Sequence, residues 1–257
     1  MRLLIHQERR KLIDGKERIV AKAKQYLVKE LDKPVETQYG TVSKEDLKKP
    51  SGSTIKSSTG KPFRIIDADY IDLAKRIRKL PQTIPLKDIG LIIAESGIGK
   101  ESTVVDGGVG SGALAAALAR VCKKVISYDV REDHIKIAKE NIRMLGLENI
   151  QIKNASLYDD IEERNVDLIT LDVPEPWKVL PCADRALRVG GYIASYSPSI
   201  PQVQDFVQAV KKSNTFMHCK TVEIIERLWE IENRKVRPKS TGIGHSGFIT
   251  FARKIGI

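Results

Sequence analysis

The chain is 257 residues long, with 44 Lys and Arg against 33 Asp and Glu for a formal charge of +11. That length can bury one large core, or one core plus a small appendage, and 41% hydrophobic with 30% charged residues excludes a disordered tail and a membrane protein. Charge enters too early for a signal peptide, the longest apolar run, Ala113 to Ala119, is too short to span a bilayer, and three cysteines without a CxxC pair give neither a disulfide framework nor a zinc site. The expectation is a soluble, cytoplasmic, globular protein with no metal and no membrane partner.

The charge is uneven. Residues 1–66 hold 16 basic and 8 acidic side chains, residues 91–231 hold 17 and 20, and residues 232–257 hold 6 and 1. Two basic ends around a near-neutral middle suit a polyanion, since each Lys or Arg that meets a phosphate releases counterions; simple solubility would give the same pattern. Residues 1–66 read as a small β-rich domain. Leu3-Leu4-Ile5, Arg18-Ile19-Val20, Gln25 to Val28 and Phe63 to Ile66 are strand-like runs, separated by Asp14-Gly15, Lys33-Pro34, Tyr39-Gly40 and the Pro/Ser/Gly stretch after Lys49.

Residues 67–257 form the second expected domain. Tyr70, Ile71, Ala74 and Ile77 recur at helical spacing until Pro81, and residues 87–97 repeat the period and close on Ser96-Gly97. Strands then alternate with helices. Thr103 to Val105, Lys124 to Tyr128, Ile150 to Ile152, Val166 to Leu171 and Tyr192 to Tyr196 read as strands. Ala113 to Ala119, Glu132 to Leu145, Ala183 to Leu187 and Val203 to Lys212 read as helices. This rhythm predicts an α/β fold with a parallel, doubly wound sheet. Thr221 to Leu228 and Ser246 to Lys254 suit an antiparallel hairpin on its edge.

The sharpest local feature is Asp106-Gly107-Gly108-Val109-Gly110-Ser111-Gly112, after a strand and before a helix. Glycines let the backbone turn tightly and approach a ligand. A dinucleotide fingerprint would space them GxGxxG to seat a pyrophosphate; Gly108, Gly110 and Gly112 alternate instead, behind an acid. That is the form found around S-adenosylmethionine (SAM), with Asp106 serving the zwitterionic end of the cofactor indirectly. Asp129 ends the next strand, where a carboxylate can accept both ribose hydroxyls of an adenosine. A P-loop is excluded because Ala94 stands where the upstream glycine is needed and Glu101 where Ser or Thr is.

After the fourth strand comes Asp172-Val-Pro174-Glu-Pro176-Trp177. Asp172 falls at the carboxyl end of the sheet, in the crevice where ligands sit. Two prolines stiffen the backbone and the tryptophan offers a flat wall, a combination suited to a planar base.

With these residues the chain resembles the tRNA (adenine-N1)-methyltransferase family acting on the T-loop, in its prokaryotic or archaeal single-gene form. The resemblance spans nearly the whole chain. It rests on Tyr39-Gly40, Leu80-Pro-Gln82, Lys87-Asp88, the glycine loop, Tyr128 to His134, Leu171 to Trp177, Tyr196-Ser-Pro198 with Gln202-Val203, Arg237-Pro238 and Gly244 to Phe248. It implies a Rossmann-like class I SAM-dependent methyltransferase domain that forms 1-methyladenosine at T-loop position 58, with 57 left open, and that works as a homotetramer. Asp172 would hold the adenine N6 amino group so that N1 faces the methyl donor. The cofactor residues implied are Gln82, Asp106, Gly108, Val109, Gly110, Ser111, Gly112, Asp129, Arg131, His134, Ala155, Ser156 and Asp172. Pro174, Trp177, Arg237 and His245 would meet the tRNA, and the basic N-terminal domain with Arg234, Lys235, Arg237 and Lys239 would grip phosphates.

The chain departs from the family pattern at three places. Ala155-Ser156 stands where an acid usually holds the cofactor amino group, Ile84-Pro85 precedes Leu86-Lys87-Asp88 without the usual aromatic or His, and Asp129 replaces the commoner Glu. Two other readings stay open on the residues alone: a non-catalytic tRNA-binding subunit, and a methyltransferase with a non-RNA substrate. Cys182 and Cys219 are the two thiols that could pair, within or between subunits, in a hyperthermophilic source.

Overall fold

A computed structural model describes residues 1–232, 234–242 and 244–256. The chain divides into two compact units, Met1–Arg76 and Ile77–Ile257, ten residues beyond the boundary expected after Ile66. The helix anticipated up to Pro81 is only Tyr70–Ala74, started by a capping box between Asp69 and Asp72. From Ile77 the chain belongs to the second unit, where a buried amide takes up the backbone of Arg78 in place of the next helical turn.

In the first unit, four antiparallel strands lie in the order Lys24–Val28, Arg2–His6, Pro62–Asp67, Thr54–Lys56. One face packs Leu4, Val28, Val42, Leu47, Ile55, Phe63 and Ile65 into a small core. Two further hairpins join Arg9–Ile13 to Lys16–Ala21 and Val35–Thr37 to Gly40–Val42. The first turns on Asp14 and Gly15, both with positive φ (53° and 71°), the geometry of a two-residue hairpin turn. Its strand Arg9–Ile13 is exposed along its whole length.

The second unit is built on seven strands: β1 (Thr103–Gly107), β2 (Lys124–Asp129), β3 (Ile150–Asn154), β4 (Val166–Leu171), β5 (Leu187–Ser197), β6 (Phe216–Glu223) and β7 (Phe248–Lys254). Their order is β3-β2-β1-β4-β5-β7-β6. The first five pair in parallel, and β7 runs antiparallel to both its neighbours. Adjacent residues on a strand face opposite sides. Val105, Ile126, Ile169 and Ile193 therefore join one core with α4 (Leu180–Ala186) and α5 (Ile200–Lys212), while Val104, Val125, Leu168 and Ala194 join the other with α1 (Leu86–Ser96) and α2 (Ala113–Ala119). The remaining helix, α3 (Glu132–Leu145), packs Ile135, Ala138 and Ile142 against Val109 of the glycine loop.

The edge pairing of the last two strands matches expectation, but its register does not. β6 begins at Phe216 and ends at Glu223, so His218 and Cys219 lie inside it, and the chain then makes a separate hairpin, Trp229–Glu232 with Lys235–Pro238, before β7. Among the described residues no helix is long and apolar enough to cross a membrane. Cys122, Cys182 and Cys219 are all free thiols, Cys182 buried and Cys219 exposed.

Candidate active site at the carboxyl edge of the sheet

Strands β1, β2 and β4 end at one edge, and the loops leaving them enclose a cavity of about 350 Å³. It lies where the strand order reverses, the crevice in which open α/β sheets hold ligands. The glycine loop makes one wall. Gly108, Gly110 and Gly112 have φ of 88°, 49° and 77°, the left-handed region open to glycine, yet each serves a different need. A Cβ on Gly108 would stand 2.3 Å from the Asp172 carbonyl oxygen, which packing forbids, and one on Gly112 3.3 Å from Ala138 Cβ, which crowds it. A Cβ on Gly110 would meet nothing nearer than 3.9 Å; its place is the cavity.

Asp129 sits at the rim. Its Oδ2 accepts the Gly110 N–H at 3.1 Å and its Oδ1 the Arg131 N–H at 2.9 Å, with His134 Nδ1 at 3.6 Å. Each carboxylate oxygen retains a lone pair, as a vicinal diol requires. The Arg131 guanidinium is bound to Asp133 at 2.8 Å, so Arg131 contributes its backbone. Ala155 and Ser156 line the facing wall. Ser156 Oγ accepts the Tyr158 N–H at 3.1 Å and keeps its own proton for a ligand.

Gln82, in the segment before α1, lines the cavity with φ 61°, a left-handed conformation that costs a non-glycine residue roughly 1 kcal/mol. This segment is held by a residue no motif singled out. Asn141 on α3, buried, donates from Nδ2 to Arg78 O (2.9 Å) and Ser111 O (2.8 Å), and accepts the Arg78 N–H at 3.0 Å. One carboxamide thus ties the segment to the glycine loop. The sequence signal was an amide on the core-facing stripe of an amphipathic helix.

Two of the expected cofactor residues do not reach the cavity. Gly112 is closed in by α3, and Asp106 is buried beneath the loop, where its two oxygens accept from Thr170 Oγ1 (2.8 Å) and Ser127 Oγ (2.9 Å). Burial outweighs those bonds and pushes the Asp106 carboxyl up to about 6. Asp172 does line the cavity, its N–H donating to Gly107 O at 2.8 Å. Its carboxyl is open toward the cavity but walled by protein elsewhere. That burial, then the charges of Asp106 and Asp129, push it up to about 7. Three carboxylates around one small space favour a cationic ligand and oppose a pyrophosphate.

Of the residues expected to meet tRNA, only Pro174 lines the cavity. Trp177 is half-buried against the core, because the 3₁₀ turn Pro176–Val179 carries its ring inward; the flat wall anticipated from it is absent there. Arg237 lies on the hairpin, bound to Glu230 at 3.1 Å. His245 has both ring nitrogens engaged, Nδ1 with Glu223 Oε1 (2.6 Å) and Nε2 with Pro198 O (3.0 Å). The Glu223 bond, then that to Pro198, raises the pKa of the ring.

Lys87 and Asp88, present in a motif but without an assigned role, form a clamp beside His245. Lys87 Nζ donates to Asp88 Oδ1, Ile224 O and Ser246 Oγ, each at 2.7 Å. Asp88, fully buried, also accepts from Ser246 Oγ (2.9 Å) and Tyr196 OH (3.2 Å). The start of α1, the end of β5 and both ends of the excursion between β6 and β7 therefore meet on one ion pair.

Strand order, glycine loop and acids together define a class I SAM-dependent methyltransferase fold. A family model described as "tRNA methyltransferase complex GCD14 subunit" matches residues 74–240. The chain belongs to that family. A Methanocaldococcus jannaschii protein, described as a tRNA (adenine(57)-N(1)/adenine(58)-N(1))-methyltransferase, is 35% identical over 90% of this chain and 92% of its own. A Thermus thermophilus tRNA (adenine(58)-N(1))-methyltransferase is 31% identical over 69% of this chain and 71% of its own. Among solved structures, a Thermotoga maritima SAM-dependent O-methyltransferase superposes with a TM-score of 0.82 at 28% identity, over 100% of this chain and 93% of that one. A tRNA (m1A58) methyltransferase from Aquifex aeolicus gives 0.79 at 23%, over 100% and 98%. The two differ in the acceptor their names imply, so the shared fold speaks for the methyl donor and not for the acceptor atom.

Proposed function

We infer that this protein is a tRNA (adenine-N1)-methyltransferase that forms 1-methyladenosine in the T-loop, at position 58 with the adjacent 57 as the second candidate acceptor. The observation that carries the reading is Asp172, a cavity-lining carboxylate one hydrogen bond from the glycine loop and followed by Pro174, in a chain 35% identical to an enzyme named for adenine-N1 methylation. SAM, when bound, supplies an electrophilic methyl group. Gly110 leaves room for it, Asp129 accepts its ribose hydroxyls, and Ser156 offers its adenine a hydroxyl where relatives offer an acid. Asp172 accepts from the exocyclic amino group of the target adenine and turns N1 toward the donor. N1 carries no proton near neutral pH, so alignment does the catalytic work and no strong base is needed. Transfer leaves a positive charge on the base, which Asp106, Asp129 and Asp172 stabilise electrostatically.

The target base must leave its stack, at a cost of a few kcal/mol. Phosphate contacts from the exposed hairpin at Arg9–Ile13, and from Arg234, Lys235, Arg237 and Lys239, offset that cost. Exposed Trp229, Ile231 and Val236 offer a contact for assembly into the homotetramer, and the cytoplasm, where tRNA is modified, is the compartment proposed. Methyl transfer from labelled SAM to an unmodified tRNA transcript tests the reading, with the product nucleoside identified by mass and its position mapped. 1-Methyladenosine is expected. Asp172→Ala should reduce transfer about a thousandfold while tRNA binding stays within threefold. Full activity in that variant would remove Asp172 from the site.

A further inference from the structure

We infer that Tyr158 is a positioning residue for methyl transfer, holding the loop that carries Asp172 at a fixed angle to the cofactor wall. The inference rests on the reaction proposed above. Tyr158 lies four residues beyond β3, lines the cavity beside Ser156 and Leu157, and is 37% exposed. Its own backbone N–H is fixed on Ser156 Oγ. Its phenol oxygen reaches across to accept the Glu175 N–H at 3.1 Å.

That contact gains weight from the sequence it meets. Pro174 and Pro176 have no N–H, so Glu175 supplies the one backbone donor of the three-residue stretch, and Tyr158 takes it. The carbonyl of the same peptide group, Pro174 O, accepts from Gln202 Nε2 at 3.0 Å, and Gln202 Oε1 in turn accepts from Ser199 Oγ at 3.0 Å. A single peptide plane is therefore held by its N–H from the cofactor wall and by its C=O from the start of α5. With both ends fixed the plane cannot rotate, and Pro174 and Asp172 keep their aim into the cavity. A carboxyl that works by alignment depends on this, because a displacement near 1 Å can cost up to a hundredfold in rate.

Tyr158→Phe keeps the ring as a wall and deletes only the oxygen. Relative to the wild type, we expect SAM affinity within twofold and kcat on tRNA about tenfold lower. Trp177, three residues past Pro174, reports the loop directly. With Trp229→Phe as background it is the sole tryptophan, and its acrylamide quenching should rise when Tyr158→Phe is added. Gln202→Met should act in the same sense. The double variant should be no more than about twofold worse than the poorer single one, since both free one peptide group. Wild-type kcat and unchanged quenching in Tyr158→Phe would overturn the inference, as would a kcat loss matched by an equal loss of SAM affinity. If the wild type itself made no 1-methyladenosine, the proposed reaction would fail, and the quenching would still decide whether Tyr158 holds the loop.

Discussion

Two regions flank the candidate site, the glycine-loop side and the side toward β5, β6 and β7, and they are shaped by different means. The glycine-loop side is fixed by close packing: Gly108 against the Asp172 carbonyl, Gly112 against Ala138, and Asn141 fastening the segment before α1 from behind. The side toward β5, β6 and β7, of which only Pro174 lines the cavity, is fixed by polar contacts between distant parts of the chain. There Lys87 and Asp88 gather Tyr196, Ile224 and Ser246, His245 joins Glu223 to Pro198, and Gln202 holds Pro174. The first side copies a shape found in many methyltransferases and depends on atoms that are missing. The second depends on atoms that must be paired. Substitutions should therefore separate them: removing a partner should damage the second side, and adding a methyl group the first.

The largest effect is expected at Asp88. Asp88→Ala leaves the Lys87 ammonium among acceptors meant for an ion pair, and breaking one member of a buried pair costs about 3–5 kcal/mol. For a protein of this size that corresponds to a drop in Tm of roughly 10 °C, read by calorimetry. SAM affinity of the folded fraction should stay within threefold, and KM for tRNA should rise. Replacing both charges, Lys87→Met with Asp88→Leu, should recover most of the Tm without restoring KM. Equal damage to SAM and tRNA binding would erase the distinction between the two sides.

Gly108→Ala attacks the other side. The added Cβ would clash with the Asp172 carbonyl at 2.3 Å, on a backbone with φ 88°, so the loop must move. SAM affinity should fall about a hundredfold, or about 2.7 kcal/mol, as measured by calorimetric titration. Gly110→Ala keeps the left-handed φ but its Cβ clashes with no protein atom, meeting only Gly108 O at an ordinary 3.9 Å, so it should cost less stability while still obstructing the ligand. Identical losses of stability in the two variants would show that packing does not set the loop.

This contrast also explains what was legible in the sequence. The glycine loop, Asp129 and Asp172 were readable because a strand, a turn and a helix start lie within ten residues, and local backbone rules tie each residue type to its place. The parallel sheet followed from the alternation of strands and helices. Asn141, Tyr158 and the Lys87–Asp88 clamp were not readable as a site, because each acts on residues 17 to 159 positions away and nothing in local spacing marks those partners. Trp177 and His245 show the converse. Both stand in recognisable motifs, yet one packs into the core and the other is saturated by Glu223 and Pro198.

Asp106 stands between the two sides and gives the smallest and most specific effect. It touches no ligand, but after burial its charge is the next reason that Asp172 titrates near 7. Asp106→Asn should leave the burial of Asp172 intact and remove that repulsion, so the Asp172 carboxyl titrates lower. Because transfer needs the carboxylate form, the acid limb of kcat/KM against pH should move to lower pH with its plateau nearly unchanged. Stability should respond with a defined sign. The folded carboxyl, at about 6, lies above its ordinary 3.8, so the folded state binds the proton more tightly. The wild type therefore loses stability relative to the variant as pH rises from about 4 to about 6, and the higher Asp172 carboxyl of the wild type extends the loss to about 7, above which the gap is constant. Urea melts at four pH values measure it. An acid limb that stays put while the stability gap moves would mean that Asp172 is governed by burial and Asp129, and that the charge beneath the glycine loop does not reach the substrate side.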